Sequence, residues 1–143
     1  MLEPIVLLVD DEAPFVDTMT KRLTKRKLTV FKSYSGEEAL ETLKEISHID
    51  LVILDVKMPG MDGIETLKEI RKEFPLVEVI MLTGHATVET SIEGMRLGAF
   101  DYLMKPCDMD VLIEKVNAAV SKKRDHEEKI REARVNVILK ARP

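Results

Sequence analysis

The sequence predicts an α/β fold, a three-layer, doubly wound sheet of five parallel strands with helices on both faces, and three observations carry that prediction. Apolar runs and helical patterns alternate five times along the 143 residues, the rhythm of strands joined by crossover helices. The runs Ile5–Val9, Leu51–Leu54 and 77–82 are almost wholly apolar, as central strands covered on both sides must be, whereas 28–32 is mixed and reads as an edge strand. Polar residues stand where the runs end: Asp10-Asp11 after Ile5–Val9, Asp55 after Leu51–Leu54, Thr83 after 77–82 and Lys105 after 100–104. In an open parallel sheet the carboxyl ends of the strands share one edge, so these residues are expected to converge on one pocket.

The helices are legible in order. Phe15, Met19 and Leu23 recur every four residues and place one apolar stripe on a first helix. Ser35 with Glu38, and Asp62 with Glu65, have the capping-box spacing. A side-chain oxygen accepts an early backbone N–H there, and the acid three residues on is expected to reach back. Pro75 closes the third helix after Phe74, because proline disfavours helical geometry in the residue before it. Thr87 and Asp108 are expected caps of the fourth and fifth helices, and Gly98 the end of the fourth. The fifth helix starts near Met109 and sets Met109, Leu112, Ile113, Val116 and Val120 on one face.

After Val120 the pattern thins. Residues 121–128 are almost all charged, and Ile130, Ala133 and Val137 then resume helical spacing, so 4–121 reads as one domain and 122–143 as a helical extension, either a linker stub or an association helix. Residues 121–143 carry eight Lys/Arg against four Asp/Glu, so the tail is +4 and residues 1–120 are −8, within a net charge of −4. Interleaved acids and the absence of aromatics in the tail favour a solvated helix face over a nucleic-acid contact. One cysteine, Cys107, cannot form an internal bridge and reads as a small buried hydrophobe. The start Met1-Leu2-Glu3-Pro4 lacks the basic and apolar regions of a signal peptide, and no apolar run approaches the roughly 20 residues of a membrane span. A soluble cytoplasmic protein with no membrane contact is the expectation.

The chemistry follows from the strand ends. Asp55 is the expected reactive group: a carboxylate can accept a phosphoryl group to give an acyl phosphate, provided the incoming charge is neutralised. Asp10, Asp11 and Asp55 suit a hard divalent cation, Mg²⁺ or Mn²⁺ in its place, which takes oxygen ligands and retains phosphate oxygens in its shell. Lys105 adds a second positive contact and Thr83 a hydroxyl donor. Pro106, directly after Lys105, is expected to fix the loop, with a cis bond as one way of doing so.

The chain resembles the receiver domains of bacterial two-component response regulators, the family of the chemotaxis receiver. The residues that carry the resemblance are Val9-Asp10-Asp11-Glu12, Ser35-Gly36-Glu37-Glu38-Ala39-Leu40, Asp55-Val56-Lys57-Met58-Pro59-Gly60-Met61-Asp62-Gly63, Thr83-Gly84-His85 and Gly98-Ala99-Phe100-Asp101-Tyr102-Leu103-Met104-Lys105-Pro106, over residues 4 to about 121. Each motif is weak alone, and all of them in order are specific. The resemblance implies a flavodoxin-like sheet in the order 2-1-3-4-5 and makes Asp55 the acceptor of a phosphoryl group from a sensor histidine kinase. It further implies that Asp10, Asp11, Asp55 and the backbone carbonyl of Lys57 bind Mg²⁺, that Thr83 and Lys105 sense the phosphoryl group, that Tyr102 is an aromatic switch, and that His85 governs access of water. Such a protein promotes only its own phosphorylation and dephosphorylation, and so is a signalling switch rather than an enzyme. Its helix 4, strand 5 and helix 5 surface controls an output partner or domain, with a phosphorylation-dependent homodimer as one outcome. Asp55-Val56-Lys57-Met58-Pro59-Gly60 and Ala99-Phe100-Asp101-Tyr102-Leu103 are similar to receivers that precede sigma-54-activating ATPase domains.

Two other readings fit the sequence less well. A Mg²⁺-dependent aspartyl-phosphate phosphatase of the haloacid dehalogenase kind needs a second aspartate two positions after the nucleophile, where this chain has Lys57. A flavin-binding electron carrier needs a phosphate cradle after the first strand, where Asp10-Asp11-Glu12 repel phosphate, and aromatics to sandwich the ring, where this chain has no tryptophan and two tyrosines. His126-Glu127 lacks the motif of a phosphorylated histidine and reads as helix surface, and Met58, Met61, Met81, Met95 and Met104 read as packing and loop residues.

Overall fold

Continuous apolar runs build the central strands of the sheet. The computed structural model describes residues 2–141. Strands β1 (Ile5–Val9), β2 (Thr29–Ser33), β3 (Leu51–Leu54), β4 (Glu78–Thr83) and β5 (Asp101–Met104) form one parallel sheet in the order β2-β1-β3-β4-β5. Successive residues of a strand face opposite sides. Val6 and Leu8 of β1, Ile53 of β3 and Ile80 and Leu82 of β4 therefore enter one core cluster, under α1 (Ala13–Lys25) and α5 (Met109–Lys140). Leu7, Val9, Val52, Leu54, Val79 and Met81 enter the other, under α2 (Gly36–Glu45) and α3 (Gly63–Glu73). Leu7, Leu8, Ile53, Leu54 and Ile80 are at most 1% exposed, and each stabilises the fold by about 1.5–3 kcal/mol. The remaining helix, α4 (Val88–Arg96), buries only Gly94.

The expected caps are in place, with one difference. Ser35, Asp62 and Thr87 accept from the amides of Glu38, Glu65 and Thr90, and Asp108 from those of Asp110 and Val111. The reciprocal reach-back forms at Thr87, where Thr90 supplies it, whereas Glu38 bonds the amide of Tyr34 instead of Ser35 and Asp62 accepts from Glu65 with no return bond. A threonine at that position needs no long side chain to fold back, so it closes the box more simply than a glutamate. Gly98 follows α4 at φ 100°.

Two expectations about side chains change. Met58 and Met81 are buried, but Met95 and Met104 are exposed on α4 and β5, since neither helix nor strand has a further layer over it there. Residues 121–128 are not a uniformly solvated face. Lys123 is 4% exposed, and with Arg124 it closes on the buried Asp50 at the start of β3 (3.2 and 3.1 Å), while α5 continues without a break to Lys140.

Candidate functional site

The carboxyl edge of the sheet is where backbone hydrogen bonds end and side chains take over. The amide of Asp55 donates to the carbonyl of Val9 (3.0 Å) and that of Lys105 to Thr83 (2.9 Å), which fixes the end of β3 against β1 and the end of β5 against β4. Asp55 is also set from beneath. The amide of Gly63 donates to the Val56 carbonyl (2.7 Å), and a Cβ on Gly63 would collide with the Asp55 carbonyl oxygen, so only glycine lets α3 begin this close to the acid.

Carboxylate oxygens of Asp10, Asp11 and Asp55 lie within 4.8 Å of one another. Asp10 and Asp55 are each 1% exposed and Asp11 is exposed, so the cluster opens to solvent on the Asp11 side. Asp55 Oδ1 accepts from the amide of Val56 (2.9 Å), while its Oδ2 is buried without a hydrogen-bond partner. A buried carboxylate oxygen left unpaired costs about 1–3 kcal/mol or more, the signature of a group shaped for a ligand. Three carboxylates, each offering one hard oxygen donor, fit Mg²⁺ or Mn²⁺ well.

Lys105 Nζ bonds Asp10 Oδ2 at 2.6 Å, lies 3.4 Å from Glu12 Oε1, and sits 3.9 Å from the centroid of the Phe15 ring. Burial pushes the Asp10 carboxyl up; its bonds from Lys105 and the Glu12 amide pull it down, the neighbouring Asp55 pushes it up again, and the net position is above the usual aspartate range. Burial lowers the Lys105 ammonium, but the bond to Asp10 and the surrounding acids outweigh it and hold it above the usual lysine value. The pocket thus keeps a full positive charge among its acids.

Thr83 is fully buried, and its Oγ1 accepts from the amide of His85 (3.0 Å). His85 lines a groove of about 340 Å³ with Asp11, Glu12, Lys57, Met58 and Pro59. The Lys105-Pro106 bond is cis. Tyr102 is half-buried and apart from the acids, with its hydroxyl 2.7 Å from Thr90 Oγ1 on α4. Cys107 is partly buried against the core, and burial and Asp108 push its thiol up.

Three contributors escape sequence reasoning. Phe15 fits the helical stripe as a core residue, yet its ring also carries Lys105. Glu12 adjoins Asp10-Asp11, the one signal of its role, and its amide and carboxylate bracket the Asp10–Lys105 pair. Thr90 gives no signal at all, because a polar residue in the first turn of a helix is ordinary.

Comparison with known proteins fits this geometry. The family model described as the response regulator receiver domain matches residues 6–117. The chain is 38% identical over 120 residues to the transcriptional regulatory protein ZraR of Salmonella typhimurium, covering 84% of this chain and 27% of that protein. It is 36% identical over 121 residues to the DNA-binding transcriptional regulator NtrC of Escherichia coli, covering 85% and 26%. It therefore spans about a quarter of the length of the curated relatives it matches. A solved receiver domain protein from Clostridium thermocellum superposes with a TM-score of 0.81 at 35% identity, over 85% of this chain and 97% of that one. A solved structure titled FixJ-N gives 0.77 at 30%, over 85% and 96%. With its sheet order, its acidic cluster and its lysine all at one edge, this chain belongs to the receiver domain family of two-component response regulators.

Proposed function

We propose that this chain is a phosphorylation-driven signalling switch in which Asp55 accepts a phosphoryl group from a sensor histidine kinase. The observation that carries the reading is the Asp55 Oδ2 atom, buried and unpartnered beside Asp10 and Asp11 at the end of β3. In the transfer an Asp55 oxygen bonds to phosphorus as the bond from phosphorus to the donor nitrogen breaks, and the electron pair leaves with the imidazole. Asp10, Asp11, Asp55 and the carbonyl of Lys57 would hold Mg²⁺ or Mn²⁺, which when bound neutralises charge on the phosphoryl oxygens. Lys105 supplies a second positive contact, already desolvated and held by Asp10, so little reorganisation is needed. The Thr83 hydroxyl turns toward a remaining phosphoryl oxygen, and His85, over the groove, limits the approach of water.

Output, in this reading, runs through Tyr102 and the surface of α4, β5 and α5, where Val88, Ile92, Met95 and Met104 are exposed. That surface acts on a target protein or a following domain, with a phosphorylation-dependent homodimer as one outcome. The setting is the cytoplasm; no helix among the described residues is long and apolar enough to cross a membrane. The direct test is labelling by acetyl phosphate with Mg²⁺, read by intact mass. Wild type gains one phosphoryl group, Asp55→Asn gains none, and excess EDTA abolishes the gain. Full labelling of Asp55→Asn removes the assignment.

A further inference from the structure

Tyr102 of β5 and Met81 of β4 meet α4 at Gly94, and of the two only Tyr102 carries a polar group to the helix. Of its residues only Gly94 is buried, and a Cβ there would lie 3.4 Å from Tyr102 Cδ2, so the tyrosine ring lies along the helix at that position. One turn earlier the Tyr102 hydroxyl meets Thr90 Oγ1 at 2.7 Å. Thr90 is no isolated partner. Its Oγ1 accepts from the Thr87 amide (3.1 Å) and lies 2.9 Å from Thr87 Oγ1, which in turn accepts from the Thr90 amide (3.0 Å).

A hydroxyl has one proton and two lone pairs, the Thr90 Oγ1 proton also reaches the Thr87 carbonyl (3.2 Å), and the following assignment satisfies every group here. Tyr102 donates to Thr90 Oγ1, Thr90 donates to Thr87 Oγ1, and both amides are accepted. The loop between β4 and α4 is therefore pinned at both ends by hydroxyls, at its start by Thr83 receiving the His85 amide and at its end by the Thr87–Thr90–Tyr102 chain.

We propose that the Thr90 hydroxyl is a latch that holds Tyr102 in its resting orientation against α4 and so sets how readily the phosphoryl switch is thrown. The proposal rests on the reading of Asp55 as acceptor and Tyr102 as switch, and adds to it a positioning residue on the helix that moves. Turning Tyr102 away breaks the 2.7 Å bond and leaves Thr90 one partner short, a cost borne only by the switched form. Because the half-exposed tyrosine recovers part of that loss from water, the bias is that of one net hydrogen bond, about threefold to tenfold in the switching equilibrium.

The test uses the full chain carrying fluorotyrosine, with Tyr34→Phe to leave Tyr102 as the one reporter. Thr90→Val keeps the shape and removes the hydroxyl. It should shift the resting Tyr102 fluorine signal toward the position it takes in wild type with beryllofluoride and Mg²⁺, and raise beryllofluoride affinity threefold to tenfold. Thr90→Ser should behave as wild type. Thr87→Ala, which injures the cap but leaves the tyrosine its partner, should raise the affinity less than Thr90→Val does. An unchanged resting signal in Thr90→Val, or unchanged or weakened beryllofluoride affinity, overturns the latch. If wild type itself takes up no beryllofluoride at Asp55, the acceptor reading fails instead. The metal-free Tyr102 signal then decides alone: moved in Thr90→Val but not Thr90→Ser supports the latch, and unmoved overturns it.

Discussion

Lys105 Nζ sits 2.6 Å from Asp10 Oδ2, so the ammonium serves the acid of β1 and leaves Asp55 Oδ2 without a bond. The lysine therefore acts as the resident counter-charge of an acidic pocket before any ligand arrives. Lys105→Met should lower stability in EDTA by about 1–3 kcal/mol, because a buried pair loses one partner while three carboxylates stay together. Saturating Mg²⁺ should restore most of it. Urea unfolding with EDTA and with Mg²⁺ measures both, and equal stability of variant and wild type in EDTA would show that the pair contributes nothing.

Asp10 and Asp11 differ in the same experiment. Asp11 is exposed and has no ion pair among the described residues, so Asp11→Ala should be no less stable than wild type in EDTA, through relief of repulsion with Asp10 and Asp55. Asp10→Ala removes the partner of Lys105 and should be the less stable of the two. Both should weaken Mg²⁺ binding by tenfold or more, measured by calorimetry or by protection from urea. A large metal-free loss in Asp11→Ala would make that residue a structural cap rather than a ligand.

The sequence makes the pocket legible because strand ends are marked by abrupt polarity changes, and a parallel sheet must gather them at one edge. Asp10, Asp11, Asp55, Thr83 and Lys105 all lie there. Strand bounds shift by one residue at β2, β4 and β5, since hydrophobicity does not mark where ladder bonding begins. Lys123 and Arg124 were illegible for a different reason. A charged residue reads as exposed unless its partner is known, and Asp50 lies more than 70 residues away in sequence. Thr90 belongs to the same class, as a pairing visible only in three dimensions.

Asp50 gives the pH dependence a sign. Burial pushes its carboxyl up, but Arg124, the Ile5 amide and Lys123 outweigh burial and hold it below the usual aspartate range. A depressed folded-state pKa contributes stability that is fully present above the unfolded value, about 3.9, and is lost as pH falls through the folded value. Asp50→Asn should therefore cost about 1–3 kcal/mol at pH 7 and flatten the loss of stability below about pH 4. Urea midpoints across that range test it, and parallel pH profiles for variant and wild type would remove Asp50 as the cause.

The same cluster decides where α5 can be cut. Lys123 and Arg124 bind Asp50, and Arg124 also donates to the Leu2 and Glu3 carbonyls, so a chain ending at Ser121 loses a structural contact along with its tail. It should be less stable than the full chain by about as much as Asp50→Asn, and the two changes together should cost little more than either alone. A chain ending at Lys129 keeps the cluster and removes only the stripe of Ile130, Val137, Ile138 and Leu139, of which the last three are more than half exposed. That stripe is short and pairs weakly by itself, so dimerisation should need both it and the switched α4, β5 and α5 surface. Sedimentation should show the full chain shifting toward a dimer with beryllofluoride and Mg²⁺, and the chain ending at Lys129 shifting less. If both stay monomeric at high concentration while Asp55 is loaded, the switch acts on a different protein and the tail plays no part in self-association.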